Sequence, residues 1–550
     1  MKFRYSKENL TRLEQKQQRL LEMLPGLLSW SILLGIIVVS LINPILASVA
    51  TIAFIFYWFL RLVYMTIFLL LSFMRLKVEF ATDWISRIKG IDMLSSYIRE
   101  IDKKQELSFR KRLSLYFHKK EVGFLKDKNI PLPSSSDIYH FVIFPVAKEP
   151  EDVIRPGLEA LLSQSFPLSQ ILVIYAVEQR APQETKNAVE RLVEKHKNNF
   201  LDIFVIVHPD NLPGEAKVKG ANVSYAARQA AKLFASKKIA FENIVVSCFD
   251  ADTVVDNNYF ACLTYNFIIT PDRTQASFQP LPVYNNNIWD APWFTRVMEV
   301  GSSFFQLIEI IHPESLVTFS SHSMSFKALT EIDYWPKDMI SDDSAVFWKA
   351  YIHYNGKYRV IPLYITVSMD AAVSENWQRT LKNIYKQRRR WAYGVENFPI
   401  LVRGFMSSEG IPLKEKIGHA VKMLDGHVSW ATWGFILTIL GWLPVLLASH
   451  AFHKSVLYYN APYISGTIFH LSTFSLACSI FVSMLLLPSA GGKYGWLKKV
   501  IHVLEWIVVP FAMVSLNALP ALDAQTRLLF GRYMEFWVTD KSRKVSSRRK

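Results

Sequence analysis

The sequence predicts an α/β domain inserted between membrane-spanning helices, and two observations predict it. Charge is segregated: the chain is 51% hydrophobic and 20% charged, yet long stretches near both ends hold almost no charge. Between those stretches, strand-sized apolar runs alternate with helix-like segments, the pattern of a sheet buried on both faces.

The first apolar stretch runs from Leu27 to Met74, with Arg61 its only charge. A helix needs about 20 residues to cross hydrocarbon, so there is room for two spans. The break is expected at Asn43-Pro44, because proline removes a donor and disfavours helix before it. The basic lead Met1–Glu22 and the length of the apolar run argue against a cleaved signal peptide. Arg75 and Lys77 follow at once, as a cytoplasmic flank should.

Asp83 to Leu424 contains no spanning segment. Its strand-sized runs are Tyr139–Val146, Ile171–Val177, Ile203–His208 and Ile244–Phe249. Helix-like stretches separate them at Val153–Ser163, Gln183–His196 and Ala221–Ser236, which argues for a doubly wound sheet. Apolar spans resume at Val428–Ser449, Tyr463–Leu487 and His502–Leu519, and a basic tail runs from Arg527 to Lys550. The layout is therefore a basic segment over 1–26, two spans over 27–75, the α/β domain over 76–425, about three spanning or re-entrant helices over 426–523, and a tail over 524–550. Five spans would put the two basic ends on opposite sides, against the positive-inside bias. The last segment, broken by Pro510 and Pro520, is then expected to be re-entrant, or a span is miscounted, with four and six as the alternative totals.

The net charge is +16, and the basic residues gather beside the apolar stretches and at the ends. That pattern fits membrane topology better than a nucleic-acid groove, and no zinc-finger or RNP-type spacing is present. Cys248, Cys262 and Cys478 form no CxxC and predict neither a disulfide framework nor a cysteine metal site.

Three strings carry chemistry. Phe249-Asp250-Ala251-Asp252 ends an apolar strand, where open α/β sheets bind ligands. Two carboxylates there suit a hard divalent cation. The plain alternative is a polar strand-to-loop cap. Ser341-Asp342-Asp343 offers a carboxylate that can take a proton from a hydroxyl. Its alternative is a helix N-cap with acids in the first turn. Gln387-Arg388-Arg389-Arg390-Trp391 combines cations suited to phosphate with an aromatic face suited to a sugar ring. Its alternative is an interfacial helix with snorkelling arginines and a Trp anchor.

Together and in this order, the strings resemble the processive family 2 glycosyltransferases, the group of cellulose and hyaluronan synthases, with their D,D,D,QxxRW series on a GT-A fold. Phe249–Asp252 matches the DxD, Ser341–Asp343 is similar to the TED motif, and Gln387–Trp391 matches QxxRW. The stretch Phe536-Trp537-Val538-Thr539 resembles the C-terminal end of the family. The resemblance spans about residues 138–430 and the membrane layout.

The resemblance implies an inverting transfer of a sugar from a nucleotide-sugar donor, with a UDP-sugar favoured. Asp252, helped by Asp250, would bind Mg2+ or Mn2+ on the donor diphosphate. Asp343 would be the base, with Asp342 as its alternate. Gln387 and Arg390 would steady the pyrophosphate, and Trp391 would pack on the acceptor. Glu149 after Phe144-Pro145-Val146, together with Lys219 and Asn222 in the Gly214–Asn222 segment (beside Lys217), would bind the donor. Ser321 and His322, within Ser320–Ser323, and Gln279-Pro280 would line the acceptor pocket. The family places aspartate after its second strand to hold the base; here that strand carries none, and Glu178 would substitute for it in binding the donor. The acceptor would be a growing polysaccharide, with export as an added function, or else a lipid. A non-catalytic membrane sugar-binding protein is the third class. Expected surroundings are membrane lipids, the bacterial inner membrane and a cytoplasmic catalytic domain. No nucleic-acid partner is implied, and the sequence says nothing of an accessory subunit.

Overall fold

The computed structural model describes residues 10–103, 108–128, 130–447, 454–488, 495–537, 539 and 543. The first nine residues, Ser449, Val538 and most of the basic tail, on which sequence expectations fell, lie outside the described residues. The chain divides into two compact units: Ser72–Asn286, Phe305–Asp370 and Lys541–Lys550 form one, and Met1–Leu71, Asn287–Phe304 and Ala371–Asp540 the other.

The first unit is built on an eight-stranded sheet. Its strands are β1 (Tyr139–Val146), β2 (Ile171–Glu178), β3 (Asp202–His208), β4 (Ile244–Cys248), β5 (Val254–Val255), β6 (Ala276–Val283), β7 (Ser323–Ser325) and β8 (Arg359–Ser368). The order is β3-β2-β1-β4-β7-β6-β8-β5. β1 pairs in parallel with β2 and β4, and β2 with β3. β7 runs antiparallel to both β4 and β6, which makes the sheet mixed. Every residue of β2 is buried, and β4 is buried throughout, as strands covered on both faces must be. The helices Glu151–Leu162, Gln183–Lys195 and Lys219–Ser236 fill the predicted intervals. This is the α/β domain that the sequence predicts, with a mixed sheet.

The second unit is helical. Among the described residues, four helices are long and apolar enough to cross a membrane: Arg12–Ile42, Pro44–Glu79, Tyr458–Leu486 and Gly495–Leu529. The first begins with a capping box, Thr11 and Glu14 each accepting from the other's backbone N–H. It ends at Asn43, where proline was expected to break it. Polar side chains join the first helix to the last: Ser29 Oγ donates to Gln525 Oε1 at 2.6 Å and Trp30 Nε1 to Thr526 Oγ1 at 3.0 Å. Between them a Cβ at Gly26 would stand 2.9 Å from the Gln525 carbonyl oxygen, so only glycine permits the approach.

One irregular segment lies where the sequence indicated a plain span. The helices Leu413–Thr438 and Leu440–Leu446 meet at a 51° bend, as a broken span or a re-entrant loop. Gly495–Leu529, the segment with Pro510 and Pro520, has the length and hydropathy of a single span and is built from α, 3-10 and π pieces. Its prolines are absorbed because Pro510 and Pro520 each sit in the first turn of a helical piece, where a missing N–H breaks no bond. A π-helical stretch, Met513–Ala518, takes up the remaining misfit.

Candidate active site

β2 and β3 lie on one side of β1 and β4 on the other, so the winding reverses between β1 and β4. Ligands of open α/β sheets bind outside the C-terminal strand ends at such a reversal. Phe249 to Asp252 leave β4 at that point. Phe249 is buried against Phe144 and Tyr259, with ring centroids 5.9 and 5.4 Å away, which pins the strand end.

Lys219 opens the Lys219–Ser236 helix. Its Nζ donates to Asp250 Oδ1 at 2.9 Å and to Asp343 Oδ1 and Oδ2 at 2.9 and 3.1 Å. Burial opposes this charge, but the carboxylates of Asp250 and Asp343 hold the ammonium well above the usual lysine range. The next residue explains the approach: a Cβ at Gly220 would lie 2.1 Å from the Pro336 carbonyl oxygen and 3.2 Å from Asp342 Cβ. Glycine alone lets the helix start come this close to the loop before Asp342.

The carboxylates are further held. Ser320 Oγ donates to Asp250 Oδ2 at 2.5 Å. Asp252 is almost fully buried and its Oδ2 accepts the Asp370 N–H at 2.7 Å. Asn286 Nδ2 donates both to the Asp252 carbonyl and to Asp370 Oδ1. Arg543 forks onto Asp370, at 2.6 Å in its shortest contact. Thr318 Oγ1 donates to the Asp343 carbonyl at 2.6 Å. Asp342 and Asp343 occupy the first turn of the Asp342–His353 helix, where the dipole favours acids, but Ser341 makes no side-chain cap bond.

Ser321 and His322 are both buried. Ser321 has a left-handed backbone, φ 61°, and its Oγ accepts the Asp250 N–H at 3.4 Å and meets Thr253 Oγ1 at 2.8 Å. His322 Nδ1–H donates to the Phe319 carbonyl, and Nδ1 stands 4.0 Å from Asp343 Oδ1. Burial pushes the His322 pKa down, while Asp343 works the other way. These two residues brace the loops that carry Asp250 and Asp343.

The remaining residues expected on the donor side are anchored locally. Glu149 Oε2 accepts the N–H groups of Ala147 and Lys148 at 2.7 and 2.9 Å. Asn222 Nδ2 donates to the Ala176 carbonyl at 2.7 Å, tying its helix to β2. Glu178, at the end of β2, pairs with Arg180. Both line a cleft with His208, Asp210 and Lys217. Asp210 follows β3, not β2, so it lies outside the segment in which the sequence places a base-binding aspartate. The signal was a polar loop, His208-Pro209-Asp210-Asn211, directly after an apolar run.

Gln387–Trp391 belongs to the helical unit, on the helix Trp377–Ala392 that Asn376 caps through the Arg379 N–H. Arg388 is buried and donates to Glu299 Oε2 at 3.0 Å. Arg389 donates to Asp523 Oδ2 at 2.8 Å. The Arg390 guanidinium lies 5.2 Å from the Phe536 ring centroid. Gln387 is buried and its Oε1 has no partner among the described residues. Arg388 and Arg389 are therefore held in ion pairs, which an interfacial anchor does not require. Glu299 was missed because one acid in an amphipathic stretch carries no local signal.

Among the described residues no group of three or more His, Cys, Asp or Glu could hold a metal by itself. The donor set of Asp250 and Asp252 nevertheless fits a magnesium-like ion, which is commonly held by one or two carboxylates plus substrate phosphate and water.

A family profile described as glycosyl transferase family group 2 matches residues 245–519. A poly-beta-1,6-N-acetyl-D-glucosamine synthase of Staphylococcus epidermidis is 23% identical over 333 residues, 59% of this chain and 68% of that protein. Among solved structures, a mannosyltransferase from Pyrobaculum calidifontis in complex with GDP-Man and Mn2+ superposes with a TM-score of 0.40 at 14% identity, over 81% of this chain and 100% of that one. TarS 1-349 of S. aureus in complex with UDP-GlcNAc gives 0.35 at 14% identity, over 73% and 95%.

Proposed function

The chain belongs to glycosyl transferase family group 2, and from that premise we propose that it transfers a sugar, with inversion, from a UDP-sugar to a growing polysaccharide at the cytoplasmic face of a membrane. N-acetylglucosamine is the sugar proposed first, because the Staphylococcus epidermidis relative is named for a polymer of it. The observation that carries the reading is Lys219, which draws Asp250 and Asp343 together beside the reversal of the sheet.

In this reading Asp343 takes the proton from the acceptor hydroxyl. Lys219 lies within reach of Asp250 and, once a donor arrives, exchanges a carboxylate for a phosphate oxygen. Asp250 and Asp252 would hold Mg2+ or Mn2+, which supplies positive charge to the leaving diphosphate. Asp370 and Asn286 keep Asp252 in place. Gln387 and Arg390 are assigned to the pyrophosphate and Trp391 to the acceptor sugar. Glu178, Arg180 and Asp210 are assigned to the base and ribose.

Four spans with the bent pair as a re-entrant hairpin would return both basic ends to one side, which we take as the cytoplasm. Arg75, Lys77, Lys414 and Lys416 support that side for the segment between the spans. Protease added outside intact cells should leave it uncut; cleavage there would reverse the orientation.

The function itself is tested with purified protein in lipid nanodiscs and a panel of radiolabelled nucleotide sugars. A labelled polymer on a sizing gel, made from UDP-GlcNAc, is the expected result. Label confined to a lipid extract would replace the polymer with a lipid acceptor. Absence of transfer from every donor would remove the enzymatic reading of this site.

A further inference from the structure

The buried pair Glu299–Arg388 has no part in the chemistry above, and a buried charge needs an explanation. Glu299 is fully buried in the Trp293–Glu309 helix, and Arg388 is 4% exposed. A charge pair so placed is costly to desolvate, and replacing both partners by apolar groups is often neutral or stabilising. Its retention here is explained by what the arginine does with its remaining surface.

Arg388 directs its hydrogen bonds to one helix. Nη2 donates to the Met298 carbonyl at 2.9 Å and to Glu299 Oε2 at 3.0 Å, and Nη1 to Ser302 Oγ at 2.6 Å. The guanidinium plane is thereby fixed. Its Cζ stands 4.6 Å from the centroid of the Trp391 ring. Arg388 and Trp391 are three residues apart on one helix, so their side chains share a face. The helix that supplies the three acceptors is fixed too: one turn earlier, Arg296 Nε donates to Glu505 Oε2 at 3.0 Å. Glu505 also accepts from His502 Nδ1 at 2.9 Å, and His502 Nε2 meets Ser483 Oγ at 2.7 Å.

We propose that Glu299 is a positioning residue for acceptor binding, which acts through Arg388 to hold the indole of Trp391 in a single orientation. This rests on the assignment of Trp391 to the acceptor. Guanidinium can fork to several oxygens in its plane and stack on an aromatic ring across its face at once; ammonium cannot. The inference thus explains why an arginine stands at this position of the string, which the QxxRW pattern leaves open.

The test measures initial rates with UDP-GlcNAc as donor and a soluble β-1,6-linked GlcNAc tetrasaccharide as acceptor probe. The variants are Glu299→Gln, Arg388→Lys, Trp391→Ala and the double Arg388→Lys/Trp391→Ala. Glu299→Gln and Arg388→Lys preserve size, so both are expected to fold. Each should raise the acceptor KM on the order of tenfold, the scale of a lost cation–π contact, with the donor KM unchanged. Adding Arg388→Lys to Trp391→Ala should raise it no further, because Arg388 acts only through the indole. Wild-type acceptor KM in both single variants, while Trp391→Ala raises it, overturns the proposal. So does a double variant whose effects add.

Should Trp391→Ala leave the acceptor KM unchanged, the acceptor assignment fails and a second measurement decides the positioning. The protein is labelled with 5-fluorotryptophan, and the 19F line of residue 391 is identified by its loss in Trp391→Phe. A line displaced by Glu299→Gln sustains positioning without the acceptor role. An unmoved line refutes it.

Discussion

In the sheet unit a single ammonium stands among carboxylates, whereas in the helical unit carboxylates stand singly among arginines. Lys219 is shared between Asp250 and Asp343. Arg388 pairs with Glu299, and Arg389 with Asp523, which Arg527 also holds. An ammonium on a flexible stem can change partners at little cost, while a planar guanidinium in a fork loses its geometry when a partner goes. The comparison teaches that the sheet unit is arranged for exchange of charge and the helical unit for its fixed placement.

The largest effect should come from removing charge in the sheet unit. Asp252→Ala is expected to abolish transfer, as is excess chelator with the wild-type protein, in a labelled-sugar assay normalised to folded protein. Full activity in chelator would mean that Lys219 and Arg390 offset the diphosphate without a metal, and the contrast between the units would weaken.

Next in size is Asp343→Asn, for which turnover should fall on the order of 10²-fold or more while donor binding, measured by equilibrium dialysis, stays near wild type. If Asp342→Asn were the dead variant and Asp343→Asn active, Lys219 would be holding a bystander.

Acid should destabilise the sheet unit. His140 on β1 is buried with Nε2 on Thr264 Oγ1 at 2.7 Å, and burial pushes its pKa down to about 3. The unfolded chain, with a histidine near 6.5, takes up the proton first. The neutral ring's contribution is thus complete above about pH 6.5 and is lost as pH falls toward the folded value. Moving from pH 7 to pH 5 should cost roughly 2 kcal/mol at this residue alone. Thermal melts at both pH values would show it, and His140→Gln should reduce the difference.

The smallest expected effect is on Arg390→Lys, a loss of about tenfold in transfer with charge retained, from weaker bidentate contact with phosphate. Equal activity would remove the distinction between fork and point charge on which the comparison rests.

Much of the fold could be read from the sequence. β1 has the predicted bounds, and the next three strands differ by a residue at an end, because each reads as a short apolar run between turn residues. Asn43-Pro44 marked the break in the first apolar stretch for the reason given by proline geometry. The bend at Ile439 was not legible, since Leu440-Gly441-Trp442 looks like ordinary apolar sequence and only the backbone at Ile439, φ −125° and ψ −61°, leaves the helix. Of the site, the sequence located Asp250–Asp252 at a strand end and the two acids at a helix start. It did not foresee Asp370 and Asn286 behind Asp252, or Glu299 behind Arg388. Those contacts join residues 84 to 118 positions apart, and nothing local encodes them.

Gly220 carries a consequence for anyone mapping tolerance along this chain. It offers a ligand no functional group, yet any side chain there meets the Pro336 carbonyl oxygen at 2.1 Å and must push the loop away. Lys219 would then lose its reach to Asp343. In a saturation scan scored by product, position 220 should be as intolerant as the carboxylates themselves, while a scan scored by membrane-inserted protein should find it far more permissive. A position that fails only the first scan marks the spacing between two loops, and spacing is a property that no alignment of side-chain chemistry records.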